Sequence, residues 1–213
     1  MALTFYCGSG SPYAWKVWLA LEHKGIPYEF RLLSFDAGDT KTPQFLALNP
    51  RGRVPTIVDD GYALWESSAI VEYLEERHPE KSLLPGDAKM RAAARRIAAE
   101  ADAYLAPIGN PLFELTLYRK GEADAGKIAE AQKNVLEELG RFESQVKGPY
   151  ILGPISLADF ALFPHVRLLQ RIDDRQPGNG IGDSRLPPKL AAWKKQIEAL
   201  PYYAKTMPPH WKG

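Results

Sequence analysis

Residues 79–88, PEKSLLPGDA, hold two prolines and a glycine within ten positions, and the chain changes character across them. Upstream, strand and helix signals alternate; downstream, every periodic segment is helical. Pro and Gly interrupt helices and strands alike. The segment therefore reads as a linker between an α/β domain at residues 1–78 and an all-helical domain at residues 89–213.

In the first domain, the aromatic run at residues 2–6 ends in Cys-Gly-Ser-Gly-Ser, a strand followed by a loop. Pro12 opens a helix that closes at Gly25, with proline in the first turn and glycine past the last. Its faces are apolar nearly all round, through Trp15, Val17, Trp18, Leu19 and Leu21, which predicts a covered helix. A second strand at residues 27–33 completes a βαβ unit. A helical turn near residues 42–47 follows, then a strand at 54–58, an Asp60-Gly61 hairpin signal and another short strand. Ser67 then starts a helix with Ile70, Val71, Tyr73 and Leu74 on one stripe. The order is β-α-β-(α)-β-β-α, a small mixed sheet carrying helices.

The second domain is expected to hold helices at residues 89–106, 124–146, 157–171 and 189–200, with Pro107, Gly109 and Pro111 kinking or breaking the first. At residues 155–160 Ser156 can cap a helix while Asp159 reaches back to its amide. Ile155 and Phe160 occupy the staple positions. That set reads as structure rather than chemistry.

Composition narrows the function. With 27 Lys and Arg against 26 Asp and Glu, the net charge of +1 offers no footprint for nucleic acid or an anionic membrane. No run reaches the roughly 18 apolar residues of a membrane span, and the opening residues lack the pattern of a secretory signal. A single cysteine, Cys7, forms no internal disulfide, and four scattered histidines build no metal site. A cytoplasmic protein is expected. The charge is uneven: residues 1–80 hold 7 basic and 11 acidic side chains, the remainder 20 and 15.

Four stretches, taken together and in order, resemble the cytosolic glutathione transferases, in particular serine-type, theta/phi-like bacterial members. They are Ser11-Pro12-Tyr13, the run Asn49-Pro50-Arg51-Gly52-Arg53-Val54-Pro55, Glu66-Ser67-Ser68-Ala69-Ile70, and Ser156-Leu157-Ala158-Asp159-Phe160. The resemblance implies an α/β thioredoxin-like domain that binds glutathione as cosubstrate, an all-α helical-bundle domain that contributes the electrophile pocket, a homodimer and a role in detoxification.

Such chemistry needs a thiolate. A free thiol ionises near pH 8.5, and lowering that by about two units takes roughly 2.7 kcal/mol of preference for the anion. A hydroxyl donating to sulfur at a helix N-terminus can supply it, and Ser11 stands at such a position. Ser9 is the competing hydroxyl and Cys7 the competing sulfur, while Ser11 also reads as a plain N-cap. Family members with thiol-transfer activity carry Cys where Ser11 stands, so Ser11 favours conjugation. By resemblance, Val54-Pro55 is a cis-proline turn whose backbone pairs with the cysteinyl part of glutathione. Glu66 and Ser67 take the γ-glutamyl end. Lys41 and Arg53 are both candidates for the glycyl carboxylate.

For the second substrate the candidates are Tyr13, Leu105, Leu112, Phe113 and Tyr118, each with core packing as the competing account. Tyr202, Tyr203 and Trp211 form either a lid or an ordinary packed terminus. The competing functions are a non-catalytic binder of glutathione or apolar ligands, and a glutathione-dependent peroxidase, dehalogenase or isomerase on the same fold. A thiol-disulfide oxidoreductase is disfavoured, because the helix start carries no Cys and no C-x-x-C.

Overall fold

The computed structural model describes residues 3–119 and 124–211. They form two compact units: one runs to Leu84 and takes in the segment from Pro201, and the other spans Pro85–Leu200. The division falls inside the expected linker. The last segment, assigned above to the helical domain, packs instead with the first unit.

The first unit is built on a four-stranded mixed sheet, β1 (Leu3–Gly8), β2 (Tyr28–Leu33), β3 (Thr56–Asp59) and β4 (Tyr62–Trp65), in the order β2-β1-β3-β4. β2 is parallel to β1, β3 is antiparallel to β1, and β4 is antiparallel to β3. Helices α1 (Pro12–Lys24), α2 (Pro43–Leu48) and α3 (Ser67–Arg77) alternate with the strands as the patterns predict. α1 is covered on nearly all sides and ends on Gly25 in the left-handed conformation. Its Lys24, buried, pairs with Glu75 of α3 at 2.6 Å and donates to the carbonyls of His78 and Lys81. A buried ammonium so fully engaged locks α1 to α3.

The segment from Pro201 lies on α1. Trp15 Nε1 donates to Thr206 Oγ1 at 3.2 Å, Tyr203 stacks on Trp15, and Lys205 pairs with Glu22 at 2.6 Å. His23 shares a 2.9 Å hydrogen bond with Tyr202 Oη. Burial, helped by Lys24 and Lys81, pushes His23 down to about 4, so its ring is neutral at physiological pH. Tyr202 and Tyr203 are thus packing residues of α1 rather than a free lid.

The second unit contains α4 (Ala88–Glu100), α5 (Ala106–Leu115), α6 (Ala125–Glu143), α7 (Leu157–Arg175) and α8 (Pro188–Glu198). The first unit also takes a one-turn α9 (Tyr203–Thr206). Of the kink or break expected here, the break does not occur. A π-helical turn at Ala101–Leu105 carries the chain straight into α5, with Pro107 in the first turn of α5 and Pro111 inside it. A widened turn relieves the clash between a proline ring and the carbonyl four residues back.

The capping box at the start of α7 is present, and it is buried. Asp159 accepts from the Ser156 amide at 2.8 Å, the Ser156 hydroxyl at 2.9 Å, the Ile151 amide at 2.9 Å and the Trp193 indole at 2.8 Å. Burial pushes its carboxyl up to about 6, against the pull of those donors. Asp159 is therefore the hub that ties α7 to the preceding loop and to α8. Asp159→Ala should strand three buried N–H donors and cost about 3 kcal/mol or more. For a chain of this size that lowers the melting temperature by about 6–12 °C; a scanning-calorimetry midpoint within about 2 °C of wild type would contradict this account.

Candidate glutathione site

Strand directions bring the predicted residues of the first unit to one end of the sheet. Gly8, which ends β1, is level with Leu33, which ends β2. Tyr6 near the same end faces Thr56, which begins β3, and Thr56 faces Trp65, which ends β4. The loops carrying Ser11, Lys41, Val54 and Glu66 therefore all leave from this end. Four stretches scattered over residues 8–68 become one surface because β3 runs opposite to its neighbours.

Ser11 is half-buried and caps α1: its Oγ accepts from the Ala14 amide at 3.3 Å. Its own amide donates to the Gly8 carbonyl at 3.1 Å, closing a turn in which Gly10 has φ of 82°. At Gly8 a side chain would meet the tip of the exposed Phe35 ring at 2.4 Å and push it aside. A hydroxyl offers one donor and two acceptor sites. Capping occupies an acceptor and leaves the Ser11 proton to be given to an anion. The cap and the functional reading of Ser11 are compatible.

Cys7 is buried on β1, and burial pushes its thiol up to about 12. It is an apolar filler of the sheet, not a competing nucleophile.

The Val54-Pro55 peptide bond is cis. Its loop is held from beneath by Asn49, a residue not singled out from the sequence. Asn49 Nδ2 donates to the Arg53 carbonyl at 2.8 Å and to Thr56 Oγ1 at 3.0 Å, while its Oδ1 accepts from the Arg51 amide. Thr56 Oγ1 donates to the same Arg53 carbonyl at 3.1 Å. The signal available was an Asn immediately before Pro-Arg-Gly, a residue type that bonds to nearby backbone in turns. Among the described residues no loop or turn backbone hydrogen bond engages Val54, which leaves its peptide groups for an added strand.

Lys41 ends a single 3-10 turn and leans over this loop, its Nζ 3.5 Å from the Gly52 carbonyl. Arg53 is exposed on the same loop. Both candidate cations are thus within one short stretch of surface. Glu66 has φ of 69°, one of two positive-φ positions outside glycine among the described residues. Such backbone strain concentrates at ligand clamps. Ser67 follows as the first residue of α3, its side chain buried. The exposed Ser68 beside it accepts from Lys16 Nζ at 3.3 Å, which sets a buried ammonium against the first turn of α3.

Of the candidates for the second substrate, Tyr13 is exposed at the start of α1. Leu105 and Leu112 are fully buried in the helical unit and are core residues, since a side chain without accessible surface offers nothing to a ligand. Phe113 is half-buried and Tyr118 exposed. The histidines share no cluster: among the described residues no three or more His, Cys, Asp or Glu come together as a metal site.

Comparison with known proteins agrees with this geometry. Residues 10–77 match the glutathione S-transferase N-terminal domain and residues 97–201 the glutathione S-transferase C-terminal domain. A glutathione S-transferase-like protein of Beauveria bassiana is 31% identical over 95% of this chain and 93% of its own. A maleylacetoacetate isomerase of Dictyostelium discoideum is 32% identical over 88% of each chain. The crystal structure of a glutathione S-transferase from the Antarctic clam Laternula elliptica superposes with a TM-score of 0.83 at 33% identity, covering 100% of this chain and 94% of that one.

The fold is thus a thioredoxin-like domain joined to an all-helical one, the architecture of a glutathione-dependent enzyme. The chain belongs to the glutathione S-transferase family.

The burial of Cys7 has a simple consequence. In the native protein its thiol should resist an aromatic disulfide reagent at pH 8 for hours, and react at once in denaturant. Stoichiometric reaction of the folded protein within minutes would restore Cys7 as a candidate nucleophile.

Proposed function

We propose that this chain is a serine-type glutathione transferase in which the Ser11 hydroxyl stabilises the glutathione thiolate for attack on small hydrophobic electrophiles. The observation that carries the reading is the division of labour at Ser11. Its oxygen accepts the Ala14 amide at the N-terminus of α1, so its proton remains to be donated to sulfur. The helix N-terminus adds its partial positive charge at the same place.

In the reaction the thiol releases its proton to solvent. The sulfur lone pair then forms a C–S bond with the electrophilic carbon as a leaving group departs, or as the electrons of a double bond move to the neighbouring carbon and take up a proton. The Val54 backbone pairs with the cysteinyl residue, Glu66 and Ser67 hold the γ-glutamyl end, and Lys41 or Arg53 meets the glycyl carboxylate. Tyr13, exposed at the start of α1, is available to the electrophile. We assign the protein to the cytoplasm as a homodimer acting in detoxification.

A second reading shares the first step. Relatives named maleylacetoacetate isomerase, among them that of Dictyostelium discoideum and one from Mus musculus at 33% identity over 74% of each chain, favour a glutathione-dependent isomerase. There the thiolate adds to a conjugated cis double bond, the resulting single bond rotates, and elimination returns the thiolate.

Ultraviolet titration of bound glutathione tests the common step. The thiol should ionise about two units below its free value, and Ser11→Ala should return it to near 8.5. An unshifted thiol in wild type defeats both readings and leaves a glutathione-binding protein; a shift that survives Ser11→Ala removes the role given to Ser11.

Turnover separates the two readings. With a halogenated aromatic electrophile, a transferase consumes one glutathione per product. With a conjugated cis-enone, an isomerase forms the trans product with no loss of glutathione.

A further inference from the structure

The turn that presents Ser11 is gripped by a residue 201 positions away from it in sequence. Residues 8–11 form a β-turn closed by the Ser11 amide on the Gly8 carbonyl, with Ser9 and Gly10 at its corners. Ser9 Oγ is hydrogen-bonded to His210 Nδ1. Beside it, a side chain on Gly10 would lie 2.9 Å from His210 Cε1, so the imidazole covers that corner of the turn. Trp211 Nε1 donates to His210 Nε2 at 2.9 Å, and the Trp211 ring sits edge-on to Trp15 of α1 at 5.3 Å.

These contacts settle the direction of the hydrogen bonds. An indole N–H only donates, so His210 Nε2 must hold a lone pair. A neutral imidazole then carries its proton on Nδ1, and Nδ1–H donates to Ser9 Oγ. His210 is in turn anchored through Trp211 to α1, the helix that the turn feeds. The turn is therefore fixed from two sides, by Phe35 against Gly8 and by His210 across Ser9 and Gly10.

We propose that His210 is a positioning residue for the thiolate site: by clamping Ser9 and covering Gly10 it holds the turn that aims the Ser11 hydroxyl and the first amides of α1. It touches no reacting atom and acts through Ser9. The inference rests on the glutathione transferase reading for its chemical consequence, and on geometry alone for the clamp.

The test uses the full chain as His210→Ala, His210→Asn, Ser9→Ala and the double variant His210→Ala/Ser9→Ala, with two measurements. Hydrogen exchange at the Ser11 amide, without glutathione, reads the turn; ultraviolet titration reads the thiol of bound glutathione. His210→Ala should speed Ser11 exchange about tenfold while β1 amides keep wild-type rates. It should also leave about fivefold less thiolate below the thiol pKa, the worth of one ordinary hydrogen bond. His210→Asn, whose side-chain N–H can take the place of Nδ1–H, should recover most of both. The double variant should match Ser9→Ala.

Wild-type exchange at Ser11 in His210→Ala overturns the clamp, whatever glutathione does. Faster exchange with an unchanged thiol pKa overturns the positioning role. Additive losses in the double variant overturn the route through Ser9. A wild-type complex with an unshifted thiol defeats the transferase reading instead, and the clamp is then judged by exchange alone.

Discussion

The architecture of the first unit hangs on a connection of three residues: β1 ends at Gly8, α1 begins at Pro12, and only Ser9, Gly10 and Ser11 join them. The Gly8 carbonyl receives the Ser11 amide, Gly10 takes a conformation that side chains avoid, and Pro12 starts the helix immediately. A longer connection would free the cap; a bulkier one would collide with Phe35 or His210. Because the turn is this tight, the N-terminus of α1 opens at the carboxyl end of β1, where the β2 loop, the Val54-Pro55 loop and the start of α3 also arrive. The site is a consequence of strand direction combined with one short turn.

The polar groups around that end are arranged in two layers of purpose. Beneath the surface, Asn49 and Thr56 satisfy the Arg53 carbonyl. An unpaired carbonyl there would cost about 1–3 kcal/mol. At the surface, Val54 makes no loop or turn backbone hydrogen bond among the described residues, Arg53 is exposed, and Glu66 holds a positive φ while its carbonyl accepts the Ile70 amide.

Much of this was legible in residue order. Periodicity, the Pro12 to Gly25 punctuation and the Asp60-Gly61 hairpin place the four strands and α1, α2 and α3, because those signals are local. Ser11, Val54, Glu66 and Ser67 stand out in the sequence because they sit in short motifs at turns, and the strand directions bring those turns to one end of the sheet. What escaped depends on distance. His210 meets Ser9, and Thr206 meets Trp15, across most of the chain, so the segment from Pro201 could not be assigned to the first unit by composition. Leu105 and Leu112 were named for the electrophile because apolar residues on a kinked helix fit a pocket as well as a core; only their complete burial decides. The π-helical turn was hidden for a related reason, since prolines at 107 and 111 signal a break unless the preceding turn widens.

Two serines, Ser11 and Ser156, stand at the N-cap of a helix and look alike in sequence, yet they are equipped for different work. Ser156 is wholly buried, and Asp159 Oδ2 takes both its amide and its hydroxyl proton. With its donor committed to a carboxylate that also serves Ile151 and Trp193, Ser156 has nothing to offer a ligand. At Ser11 the third helical position is Ala14, which returns only a backbone amide. Among the described residues no carboxylate is hydrogen-bonded to Ser11, and no acidic residue stands in the first turn of α1. A helix that needed only a cap would gain from an acidic residue at that position, through the capping box and through the helix dipole together. That residue is absent at α1 and present at α7: the same capping physics is closed upon itself in one unit and left open in the other.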